Sequence, residues 1–136
     1  MERTATGIMR GHPGLRVEVQ QLAASQAVLI IAEGEIDHRT FEVLGNAVRN
    51  ILDGGCVRLI IDLGRVVFVS SSGLGVFVST AAETRNGGGD LVLVRPQQTV
   101  REVLTTAGLT DCLPVVENLD AALAVFSGVP GGNAQP

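Results

Sequence analysis

Apolar residues fall along this chain in two rhythms. Leu15, Val17 and Val19 alternate with polar neighbours, which predicts a strand at the edge of a sheet with one wet face. Val28–Ala32, Leu59–Leu63 and Leu91–Val94 are near-continuous apolar runs, the pattern of strands covered on both faces. Between these runs the period lengthens to that of a helix. Phe41, Leu44, Val48 and Ile51 predict a helix over about residues 39–52, stopped by Gly54 and Gly55. Leu74, Phe77, Val78 and Ala81 predict a second helix, entered through a short loop and the serines at 70–72 and ended by Asn86-Gly87-Gly88-Gly89. Pro96 opens a third helix bearing Val100, Val103, Leu104 and Ala107, with Gly108 at its C-terminal end. Leu113–Val116 reads as a short strand, and Asn118 as the cap of a last helix carrying Leu119, Ala122, Leu123 and Phe126. The order β-β-α-β-α-β-α-β-α predicts one α/β domain over residues 14–127. Its sheet is mixed but mostly parallel, with about five strands, one hairpin edge and about four helices. Residues 1–13 read as a flexible lead and 128–136 as a flexible tail.

Composition narrows what such a domain does. With 136 residues and 46% hydrophobic content, the chain has enough apolar side chains for a real core. Aromatics make up only 3%, so that core is built from Val, Leu, Ile and Ala. The net charge of −4 leaves no basic face for a phosphate backbone, so a nucleic-acid partner is not expected. No apolar run is long enough for a membrane span, and the first residues lack a signal-peptide core, so a cytoplasmic protein is expected. Cys56 and Cys112 are too few for a disulfide framework or a metal cluster and read as ordinary reduced side chains.

The candidate chemistry sits at Ser70-Ser71-Ser72. A helix start presents unpaired N–H groups and the positive end of the helix dipole. A hydroxyl there either caps the helix or carries a phosphate that the helix end stabilises, and the residues alone leave both readings open. A serine-hydrolase reading fails because Val69 stands where a nucleophile elbow needs glycine, and no histidine follows the serine. Gly73-Leu74-Gly75 lacks the third glycine of a dinucleotide fingerprint, and without any lysine there is no phosphate-binding loop of the Walker type. Glu35, Asp37 and His38 have no second histidine or cysteine placed to complete a metal site. No catalytic residue and no cofactor is expected.

Gly34-Glu35-Ile36-Asp37-His38 after one strand, and Ile60-Ile61-Asp62-Leu63 leading to Phe68-Val69-Ser70-Ser71-Ser72-Gly73-Leu74-Gly75, together resemble the STAS domain. More narrowly, they resemble bacterial anti-sigma factor antagonists. The resemblance spans about residues 14–127 and implies a small sheet flanked by helices on one side. It implies a non-enzymatic protein whose partner is an anti-sigma factor that is also a serine kinase and inactivates the antagonist by phosphorylation, with a serine phosphatase restoring it. Carried onto this chain, it makes Ser71 the phosphorylated residue. Asp37, Thr40, Ser70, Ser72 and Gly73 form its surroundings and the partner-binding region. The family aspartate that precedes the phosphorylated serine is Ser70 here, which keeps a capping residue but removes a carboxylate. The alternative is an unregulated STAS interaction module in another signalling or transport assembly.

Overall fold

The three continuous apolar runs have no wet face, so they need cover on both sides, and the fold supplies it. The computed structural model describes residues 3–12 and 14–127. In chain order its elements are β1 (Arg3–His12), β2 (Leu15–Leu22), β3 (Ala27–Ile36), α1 (Phe41–Asp53), β4 (Arg58–Val69), α2 (Ser71–Asn86), β5 (Asp90–Val94), α3 (Gln98–Thr106), β6 (Val115–Val116) and α4 (Leu119–Ser127). The strands form one six-stranded sheet in sequence order. β1, β2 and β3 pair antiparallel, and β3 through β6 pair parallel, joined by helical crossovers. The sheet therefore has one strand more than expected. Residues 3–12, expected as part of a flexible lead, pair with β2 and move it from the edge to the interior. The expected tail, residues 128–136, lies outside the described residues.

Alternation along β3, β4 and β5 sorts their side chains into two layers. Val28, Ile30, Leu59, Ile61, Leu91 and Leu93 pack with Leu44 and Val48 of α1, Phe77 and Ala81 of α2, and Val100 and Leu104 of α3. The intervening Leu29, Ile60, Val92 and Val94 pack with Ala122 of α4, and Leu119, Leu123 and Phe126 close over them. The helices thus lie on both faces, three against one, and not on one side as the family resemblance implied. Asn118 caps α4 as expected, its Oδ1 accepting the Ala121 N–H at 2.8 Å. Among the described residues no helix is long and apolar enough to cross a membrane.

Two departures shape the end of the sheet that matters for function. β4 runs on to Val69 with no loop before α2. It carries one extra residue between Asp62 and Arg65 and another between Val66 and Phe68, relative to β3. These bulges break the apolar alternation, which is why the sequence pattern stops near Leu63. They bring Val66 and Val69 to the core and leave Val67 and Phe68 outside, 52% and 48% exposed. In β3, Gly34 adopts φ +122, and a Cβ there would lie 2.2 Å from the Gly14 carbonyl oxygen, so only glycine fits.

Phe77 is fully buried between α2 and the sheet. Phe77→Ala is expected to cost about 3–5 kcal/mol, read as a lower urea midpoint at an unchanged slope. An unchanged midpoint would show that α2 does not pack as described.

Candidate functional site

The last pair of the β3–β4 ladder, Ile36 beside Val69, fixes where α2 begins. The Ser70 N–H donates to the Ile36 carbonyl at 2.8 Å, and the Ser70 carbonyl accepts the Leu74 N–H at 2.9 Å, so one residue ends the strand and starts the helix. Gly73 makes the junction possible. A Cβ there would lie 2.7 Å from Ile36 Cγ2, 2.9 Å from Val69 Cγ1 and 3.1 Å from the Ile36 carbonyl oxygen. The helix axis can approach the strands this closely only where that side chain is missing. Because Gly73 faces the sheet, so do Phe77, Thr80, Ala81 and Thr84. Val78 comes five residues after Gly73, about 140° around the helix, and is 53% exposed instead of buried as its spacing predicted. The two threonines tolerate burial because hydroxyls can bond back into the helix: Thr84 Oγ1 donates toward the Thr80 carbonyl at 2.9 Å, with the Ala81 carbonyl at 3.0 Å.

This geometry separates the three serines. Ser71 is exposed, Ser72 is half-buried, and Ser70 holds the extended cap position. The expected side-chain cap is absent: Ser70 Oγ makes no bond to the first turn, has under 1 Å² of exposure and has no partner. The amides of Ser71, Ser72 and Gly73 find no acceptor among the described residues, and the first turn of α2 contains no acid. What the site offers is an exposed hydroxyl at the open, electropositive start of a sixteen-residue helix.

Asp37 follows Ile36, so the Ser70–Ile36 bond sets its loop beside the helix start. Its carboxylate does not reach the serines; it organises its own turn. Oδ1 accepts the Arg39 N–H at 2.9 Å, and Oδ2 takes the Arg39 guanidinium at 3.1 Å. Thr40 Oγ1 donates to the Glu35 carbonyl at 2.7 Å and accepts the Asp37 N–H at 2.9 Å, so this buried hydroxyl braces the loop and does not cap α1. Arg39 also lies 3.6 Å from Glu35. Arg39 therefore offsets part of the charge of the two acids, one cation standing against both. Sequence reasoning did not single out Arg39; its signal was a cation two residues after Asp37 and four after Glu35. The Arg39 N–H, and then its guanidinium, hold the Asp37 carboxyl below the usual carboxylate range.

Exposed apolar residues occur on both elements that meet at Ser71. Val67 and Phe68 precede it on β4, and Val78 follows on the outer face of α2. A groove between α2 and α3 is lined by Leu74, Thr99, Glu102, Val103, Thr106 and Ala107. Another concavity, lined by residues such as Gln26, Cys56 and Arg58, lies at the N-terminal ends of β3 and β4, away from the serines.

Residues 17–122 match the family model described as the STAS domain. The fold is shared with the anti-sigma factor antagonist SpoIIAA in its unphosphorylated form, at 24% identity and TM-score 0.70, covering 83% of this chain and 97% of that one. It is shared with an anti-sigma factor antagonist from Mycobacterium paratuberculosis, at 23% identity and TM-score 0.70, covering 91% and 96%. The Bacillus cell fate determinant SpoIIAA in its phosphorylated form aligns at 24% identity and TM-score 0.62, covering 80% and 98%. At these identities the likeness establishes the fold alone. No curated protein sequence matches the chain significantly.

Two outcomes follow from the junction and the loop. In Gly73→Ala, overpacking costs about 1–3 kcal/mol, against a helix-propensity gain of roughly 1 kcal/mol. A net loss in urea unfolding is expected, whereas a stabilised variant would mean that the start of α2 is free to move. For Asp37, a lowered folded-state pKa means that the folded form binds the proton less readily than the unfolded one. Its stabilisation is present above the ordinary carboxylate value, about pH 4, and drains as the pH falls below it. Asp37→Asn should flatten that acid limb of the stability profile; an identical limb would remove Asp37 from the loop's support.

Proposed function

Because the chain belongs to the STAS domain family, we propose that it is an anti-sigma factor antagonist. On this reading it is a cytoplasmic binding module, not an enzyme. It sequesters an anti-sigma factor with serine-kinase activity, frees a sigma factor for transcription, and is switched off by phosphorylation of Ser71. The observation that carries the reading is the exposure of Ser71 at the start of α2, on a base made rigid by the Gly73–Ile36 packing. In the modifying step the γ-phosphoryl group of ATP passes to Ser71 Oγ. The new O–P bond forms as the bond to ADP breaks, and the hydroxyl proton leaves to a base on the kinase. A serine phosphatase reverses the change by hydrolysis.

The switch works through charge at an interface. Phosphorylation adds about −1.5 to −2 charges at neutral pH at the start of α2, a helix that carries exposed Val78, follows exposed Val67 and Phe68 of β4, and is tied through Ser70 to Ile36 at the head of the Asp37 loop. A partner surface matched to the neutral hydroxyl then has to accommodate a dianion, which costs desolvation and packing. The domain itself tolerates the group, because the open amides of the first turn and the helix dipole favour negative charge there. Binding is lost without unfolding.

Calorimetry with the cognate anti-sigma kinase tests this. Ser71→Glu is expected to weaken binding at least tenfold, about 1.4 kcal/mol, while Ser71→Ala keeps wild-type affinity. Ser71→Glu should also melt no lower than wild type, since an acid at a helix start stabilises by about 0.3–1 kcal/mol. Equal affinities for wild type and Ser71→Glu would contradict the switch.

A further inference from the structure

Among the described residues, Ser70 Oγ is the one buried side-chain polar atom without a hydrogen-bond partner. It stands one residue before Ser71, at a helix start with three open amides and no acid in its first turn. A serine that served only as a cap would already be spending its hydroxyl on one of those amides. This one does not, although the amides are free. A hydroxyl both donates and accepts, whereas a carboxylate at the same position is acceptor-only and negative.

We propose that Ser70 is the positioning residue of the switch: when Ser71 carries a phosphate, the Ser70 hydroxyl turns from its buried position and donates its hydrogen bond to a phosphoryl oxygen, so that modification tightens the start of α2. The proposal rests on reading Ser71 as the modified residue. The amides of the first turn take the remaining oxygens, so the phosphate is held by the fold that displays it. Asp37 makes no bond to the Ser70 hydroxyl; its two oxygens accept from Arg39.

The test needs no kinase if phosphoserine is placed at residue 71 by genetic encoding. Wild type, Ser70→Ala, Ser70→Thr and Ser70→Asp are then titrated by phosphorus NMR. A donor to the dianion lowers the second ionisation of the phosphate, so Ser70→Ala should raise it by roughly half a pH unit. Ser70→Thr should stay with wild type, and Ser70→Asp should lie highest. The rise in melting temperature on phosphorylation should be larger in wild type than in Ser70→Ala, whose unmodified form should melt where the unmodified wild type does. Superimposable titrations of wild type and Ser70→Ala would overturn the proposal. If Ser70→Ala does not fold, Ser70→Thr titrating with Ser70→Asp overturns it instead. Partner affinity of the same phosphoproteins is measured separately. Full affinity alongside a Ser70-dependent titration would refute the binding switch and leave the role of Ser70 standing; lost affinity with a Ser70-independent titration would do the reverse.

Discussion

Everything at the candidate site depends on one close approach. The first turn of α2 lies against the ends of β3 and β4 because position 73 has no side chain, and Ile36 and Val69 fill the space a Cβ would occupy. That contact sets the rotation of α2. It turns Phe77 and Ala81 into the core, leaves Val78 outside and points the exposed Ser71 away from the sheet. The Ser70 N–H to Ile36 carbonyl bond ties the same turn to the strand that leads into the Asp37 loop. A phosphoryl group added at Ser71 therefore meets a surface already fixed in place, with little freedom to absorb the new charge by rearranging.

The electrostatics divide the work between two neighbouring segments. The Asp37 loop is internally braced: one cation, Arg39, stands against two acids, Asp37 and Glu35, and Thr40 closes the turn with its hydroxyl. The start of α2 is the opposite, with open amides, no acid in its first turn and a hydroxyl without a partner. One segment gives shape and the other gives a place for charge. On the proposed reading this asymmetry lets a single modification alter binding while the fold is undisturbed.

Much of this was legible in the residues. The continuous runs in β3, β4 and β5, the Asn118 cap and the stops at Gly54 and Gly108 all mark their elements, because burial on two faces and positive-φ or capping positions leave local signals. The Ser-Ser-Gly-Leu-Gly motif likewise marks the helix start. What local pattern could not show depended on tertiary contact. The two bulges in β4 hide its last residues from any period-2 count. The helix phase at Gly73 overrides the apolar spacing that placed Val78 inside, and Thr80 and Thr84 enter the core. β1 forms only as a pairing partner of β2, and α4 takes the far face because Ile60 and Val92 need cover. Arg39 gains meaning only when its loop closes around Asp37.

The central claim is that modification at Ser71 changes charge at an interface without changing the fold. Backbone amide chemical shifts of the unmodified and Ser71-phosphorylated protein compare the two states residue by residue. The account predicts large shifts confined to the first turn of α2 and the adjoining Ile36–Thr40 segment, with the layer of Leu29, Ile60, Val92 and Ala122 unmoved. Shifts spread through that layer and α4 would contradict it, because they would mean that phosphorylation acts by repacking the domain.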